Sequence, residues 1–270
     1  MEQAEHFRNE SEKIAALLAA QPLDWLDQTT GFKRWSVADI VGHLYVWNRA
    51  ALLSLSDAAG FAAFLERISG AFRRGGDLKT FERDLTGEFA GQDLVDAWCD
   101  SVAETAKAFA KADPKARLPW VGPEMSARSS ITARLMESWA HGQAIFDLAG
   151  VERVEGDALR DIAMLGYNTY GWTFRNRRET PPEPRPSLAL TAPSGEIWRF
   201  GEADPDENIA GQAVEFCQVV TQTRNIADTG LALTGPNAHR WMEIAQCFAG
   251  APVEPPAAGE RRCGQVNAGC

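Results

Sequence analysis

Through the first 150 positions apolar residues recur at helical spacing, and strand-like runs begin only after about residue 187. Residues 3 to 20 place Phe7, Ile14, Leu17 and Leu18 on one face with charges between them, which predicts an amphipathic helix ending before Pro22. Ser36 opens a second helix, with Asp39 three positions on as a loose capping box. This helix is expected to reach about residue 55, with Val37, Ile40, His43, Leu44 and Trp47 on its inner stripe. A third helix is predicted over 92 to 111, from Leu94, Val95, Trp98, Val102 and Phe109, and Asp113-Pro114 stops it. The fourth runs from about 126 to 149. Between the second and third lie two shorter helical patterns, Phe61 to Phe72 and Leu78 to Phe89, separated by Gly75-Gly76. They read as an insertion between the helices of an up-and-down four-helix bundle. The stiff, aromatic loop Leu118-Pro119-Trp120-Val121-Gly122-Pro123 suits a segment lying over the end of that bundle.

Residues 156 to 176 continue with a fifth helical pattern, and the proline-rich stretch Thr180 to Pro186 cannot be helical. Leu188-Ala189-Leu190, a Ser194-Gly195 turn and Ile197-Trp198-Arg199-Phe200 predict a β-hairpin. Short strands ending near Ile209 and over Leu231 to Leu233 alternate with helices over Gln212 to Thr223 and Pro236 to Phe248. The expected organisation is mainly α: a helical bundle over 1–155, a smaller α+β domain over 156–250, and a disordered tail over 251–270, where Pro, Gly, Ala and polar residues dominate.

Composition narrows the classes of function. With 45% hydrophobic residues the chain can build a real core, and a net charge of −10 with no basic stripe argues against nucleic acid as a partner. The acidic, polar opening Met1 to His6 lacks the form of a signal peptide, and no apolar run reaches the roughly 18 residues of a membrane span. These features predict a soluble cytoplasmic protein and leave monomer and homodimer both open. Cys99, Cys217, Cys247, Cys263 and Cys270 form no close pair, so free thiols are expected rather than a disulfide framework.

The candidate chemistry lies in Leu135-Met136-Glu137-Ser138-Trp139-Ala140-His141-Gly142. Glu137 and His141 are one helical turn apart and share a face. His43, on the inner stripe of the second helix, is the candidate third ligand. Imidazole and carboxylate suit a borderline divalent metal, and three protein ligands leave a coordination position free for water or substrate. Ala133, Ala140 and Ala144 share the face of Glu137 and His141 and leave space beside them. The alternative is structural: Glu137 pairs with Arg134, and the histidines are hydrogen-bonded core residues. His6 and His239 have no partner motif and read as structural or surface residues.

Trp35-Ser36-Val37-Ala38-Asp39-Ile40-Val41-Gly42-His43-Leu44, together with Glu137 to Gly142, resembles the amino-terminal domain of the mycothiol-dependent maleylpyruvate isomerase family, within the DinB/YfiT-like superfamily. The loop Pro119 to Pro123 and the run Thr132 to Glu137 resemble a metal-binding branch of that group. The resemblance implies a DinB-like bundle holding zinc or another divalent ion through His43, Glu137 and His141, fused to a sterol-carrier-like domain. It also implies a low-molecular-weight thiol (mycothiol, glutathione or bacillithiol) that the metal holds as a thiolate for addition to a double bond, and an isomerase or thiol transferase working on a small acidic or electrophilic substrate. Arg224 matches the position of a cleft arginine and is the candidate substrate anchor; Arg128 and Arg134 are weaker ones. Trp120 is a candidate pocket wall, and Asn48, Gln143 and Asp147 are candidates to orient ligands. Two other functions fit the same residues: a metal-dependent hydrolase, and a protein binding a lipid or other small molecule around a structural metal.

Overall fold

The computed structural model describes residues 1–262, which fall into two compact units: Met1–Leu148, and a second that begins at Ala149. Four long helices make the frame of the first: α1 (Glu2–Ala19), α2 (Val37–Ser56), α5 (Gln92–Lys111) and α6 (Ala127–Ala149). The shorter α3 (Ala58–Arg73) and α4 (Leu78–Thr86) follow α2. Helix α5 packs against both α1 and α2, and a buried hydrogen bond from Ser11 Oγ to Ser138 Oγ ties α1 to α6 at 3.4 Å. A two-residue antiparallel pair, β1 (Arg117–Leu118) with β2 (Met125–Ser126), closes the loop that leads into α6.

Helix α2 is apolar on almost every side because it has neighbours on almost every side. Its first turn is fixed by a complete capping box: Ser36 Oγ accepts from the Asp39 amide at 3.1 Å, and Asp39 Oδ2 accepts from the Ser36 amide at 2.9 Å. The same carboxylate receives Lys79 and Arg83 of α4, each at 2.7 Å, so one residue both starts α2 and fastens α4 to it. Burial alone would push Asp39 upward, but Arg83, Lys79 and the two Ser36 groups outweigh it and bring the carboxyl down to about 2.

The two helices read as an insertion are part of the core. Phe61, Phe64 and Ile68 of α3 and Phe81 of α4 bury against Val46, Trp47 and Ala50 of α2. Each such buried side chain contributes roughly 1.5–3 kcal/mol. Trp120 stacks on Phe61 at 5.7 Å and tilts against Trp47 at 5.6 Å, making it a packing residue of this cluster.

In the second unit the helix expected over 156–176 is two helices, α7 (Leu159–Asn168) and α8 (Tyr170–Asn176). The break falls at Thr169, whose hydroxyl donates back to the carbonyls of Leu165 and Gly166 and turns the chain there. Strands β3 (Ser187–Thr191), β4 (Ile197–Phe200), β5 (Asn208–Gln212) and β6 (Ala232–Thr234) form one sheet in the order β4-β3-β5-β6. The β3–β4 hairpin is antiparallel, turning at Gly195 (φ +90), and β3 pairs with β5 in parallel. Helices α9 (Ala213–Val220) and α10 (Pro236–Ile244) complete the unit, with Phe216, Trp241, Leu190 and Ile209 fully buried.

Residues 251–262 differ from the disordered tail that their composition suggested. Val253 O accepts from Gln222 and Arg177, Pro256 O accepts from Asn225, and the Gly259 amide donates to Asp228. Side chains from the folded unit satisfy the backbone that this segment cannot pair with itself. Cys263 and Cys270 lie outside the described residues; Cys217 and Cys247 are buried cysteines, and Cys99 is a half-buried one.

Candidate metal centre

His43, Glu137 and His141 come together where α2 meets α6, each offering one ligand atom, with these atoms all within 4.8 Å of one another. Glu137 Oε2 is 3.1 Å from His141 Nε2 and 3.4 Å from His43 Nε2. No other group of three or more His, Cys, Asp or Glu side chains converges in this way among the described residues. Along the middle of α6, Ala133, Glu137, Ala140, His141 and Ala144 are the half-exposed positions while their neighbours are buried. The open face of the helix therefore presents two donors flanked by methyl groups.

The His43 ring is fixed from behind. Its Nδ1 lies 2.8 Å from Glu82 Oε1, which also accepts the indole N–H of Trp47 at 2.7 Å. With Nδ1–H donated to Glu82, Nε2 is the nitrogen turned toward Glu137, and once its proton is lost its lone pair has the orientation that a metal-binding histidine needs. Glu82 was not among the residues singled out from sequence. Its signal is a carboxylate inside the apolar stripe of α4, beside Phe81 and between Leu78 and Leu85.

The rim is aromatic. Between Thr29 and Ser36, which pair as an isolated bridge, the chain passes through left-handed backbone at Lys33 (φ 48) and Arg34 (φ 57). This tight loop sets the Phe32 ring edge-on to His141 at 4.9 Å, and the Trp35 ring 5.4 Å from His43 and stacked with His141 at 6.2 Å. Two non-glycine residues held there are a backbone cost of the kind found at functional sites.

The electrostatics follow from these contacts. Burial alone would lower the His43 pKa, but the charge of Glu82 and the hydrogen bonds to Glu137 and Glu82 raise it to about 9. Burial would raise Glu137, yet His141, His43 and Arg134 hold its carboxyl well below the usual range. His141 is pushed down by burial and by the neighbouring His43, and its Nδ1 is buried without a hydrogen-bond partner. The donor set fits a divalent cation: two imidazole nitrogens and an ionised carboxylate face one point, and one imidazole is already aligned by a carboxylate behind it. The alternative pairing of Glu137 with Arg134 is also present as an ion pair: Nη2 is 3.9 Å from Oε2, farther than either imidazole. Arg134 itself is 2% exposed, and burial lowers its pKa.

The remaining candidates have other surroundings. Arg224 belongs to the second unit, where its Nη1 donates to the Thr223 carbonyl at 2.8 Å. Arg128 is exposed on the first turn of α6. Asn48 donates to Ser101, and Gln143 to Asp147. His6 sits 3.6 Å from Glu2, and His239 bonds the Gly235 carbonyl.

A family model described as the mycothiol maleylpyruvate isomerase N-terminal domain matches residues 7–146, more than half of the chain and the stretch that carries all three converging side chains. The chain belongs to this family. Two uncharacterized proteins, from two strains of Mycobacterium tuberculosis, are each 36% identical to it over 246 residues, covering 91% of this chain and 94% of the relative. The fold also resembles the crystal structure of a histidine-to-alanine mutant of the mycothiol-dependent maleylpyruvate isomerase, with a TM-score of 0.50 and 13% identity over 81% of this chain and 87% of the other. That likeness is one of fold. No helix among the described residues is long and apolar enough to cross a membrane.

Proposed function

We propose that the chain is a metal-dependent enzyme in which His43, Glu137 and His141 hold a divalent ion, zinc in the first instance. Together with a low-molecular-weight thiol, it would isomerise a small acidic or electrophilic substrate or transfer the thiol to it. The observation that carries this reading is the convergence of three donor atoms within 4.8 Å at the half-exposed face of α6. Membership of the maleylpyruvate isomerase family supports the thiol and the isomerase chemistry. When bound, the ion would supply Lewis acidity that lowers the pKa of a coordinated thiol and makes a nucleophile at neutral pH.

The chain's own residues would do the rest. Glu82 and Trp47 fix the ring of His43; the neighbouring cations keep Glu137 ionised; Phe32 and Trp35 line the rim of the site with aromatic surface. Ala133, Ala140 and Ala144 leave room for substrate beside the ligands. Turnover assays of metal-loaded protein with and without added thiol test the reading. Turnover that needs the thiol supports it, and thiol-independent hydrolysis of the same substrates assigns water as the nucleophile and overturns it.

A further inference from the structure

Arg134 is the buried charge whose own hydrogen bonds this reading leaves unmet. Its guanidinium is enclosed in α6, and its Nε and Nη2 have no hydrogen-bond partner. Those two atoms share the edge with which arginine grips a carboxylate side-on. The two carboxylates whose charge it feels are engaged elsewhere: Glu82 Oε1 takes His43 and Trp47, and Glu137 Oε2 takes both imidazoles. Lys79 and Arg83 are paired with Asp39 and form with it a separate group at the start of α2. A buried cation whose nearest carboxylate oxygen, Glu137 Oε2, is 3.9 Å away and shared with two imidazoles is poorly compensated, and a fold that keeps one has a use for its field.

A count of charge shows that use, on the reading that a divalent ion is bound. His43 and His141 ligate as neutral imidazoles. Glu82 and Glu137 are then two negative charges against one positive charge on Arg134 and two on the ion. The assembled site carries one positive charge in excess, among largely buried side chains where water screens it less than in bulk. A neutral molecule leaves that charge standing, whereas a monoanion cancels it. We propose that Arg134 is a specificity-determining residue that makes the site select a singly charged anion as its exogenous partner. It acts through its field and lies outside the ligand set.

The test uses the full chain loaded with cobalt(II), whose visible absorption reports added ligands without any assay of turnover. Metal content is measured first, and the loaded protein is then titrated with thiocyanate, a monoanion, and with imidazole above its own pKa, a neutral ligand. In Arg134→Met we expect thiocyanate affinity to fall roughly tenfold or more, imidazole affinity to stay as in the wild type, and cobalt affinity to hold or rise as a repulsive neighbour is removed. Arg134→Lys keeps the charge and is expected to keep the preference; Arg134→Gln serves if the methionine variant does not fold. Thiocyanate affinity that is equal in wild type and neutral variant, or that falls by the same factor as imidazole affinity, overturns the inference and leaves the metal reading intact. A wild type that takes up no cobalt overturns both.

Discussion

The Nδ1 atom of His43 and the Oε1 atom of Glu82 are 2.8 Å apart, and both side chains are almost fully buried. Glu82 thus sets the tautomer and the angle of one member of the candidate triad without joining it. Replacing it by glutamine keeps the volume and removes the charge. Glu82→Gln is predicted to weaken zinc binding by about 10–100-fold, as measured by competition with a chromophoric chelator. Unchanged affinity would mean that Glu82 serves packing alone.

His43 also predicts how metal uptake depends on pH. Its folded pKa is raised to about 9 from 6.5, so the charged imidazole stabilises the metal-free fold fully below about 6.5, and this contribution disappears as pH rises through about 9. A metal must displace that proton. Affinity should therefore climb with pH through the whole window below about 9 and level off above it, with proton release detectable by calorimetry in two buffers of different ionisation heat. Affinity that is flat across this window contradicts the pairing with Glu82 and Glu137.

Asp39 gives a test of stability apart from the site. Its pKa falls from 3.8 to about 2 on folding, so its contribution is present above the unfolded value and is lost as pH drops through about 2. Asp39→Asn loses the charge facing Lys79 and Arg83 and weakens the capping box, at a cost of about 1–2 kcal/mol at neutral pH once solvent screening of the exposed Arg83 is allowed for. Urea unfolding should show this gap at neutral pH, and the gap should narrow as the wild-type carboxyl is titrated. A gap that stays constant down to pH 2 would assign the effect to packing.

Much of the bundle could be read in the chain because local and tertiary signals agree there. The third helix was expected over 92–111 and is Gln92–Lys111, bounded by Gly91 and by Asp113-Pro114. The second starts where Ser36 and Asp39 said it would, since a capping box is a local device. The break at Thr169 was missed because the apolar periodicity runs on through it, and the deciding hydroxyl bonds look like any helical threonine in sequence. The closing helix, expected to reach Phe248, ends at Ile244.

At the site, the meeting of Glu137 with His141 follows from helical spacing, while the arrival of His43 beside them rested on a family resemblance, because no periodicity reports which helices adjoin. Glu82 was harder to see. It was assigned to an insertion, and only the packing of α4 on α2 through Phe81 and Trp47 turns that carboxylate toward His43. The role of residues 251–262 was hidden for a related reason: a segment poor in apolar residues can be held by side-chain hydrogen bonds from a folded neighbour, and composition counts only the segment's own contribution.

The central claim is that three side chains from two helices hold one divalent ion. Elemental analysis of the purified protein, beside His141→Ala, tests it most directly. The account predicts close to one equivalent of divalent metal in the wild type and a large loss in the variant, with the helical content of the two the same by circular dichroism. A wild type without metal, or a His141→Ala protein that keeps its full complement, would contradict it.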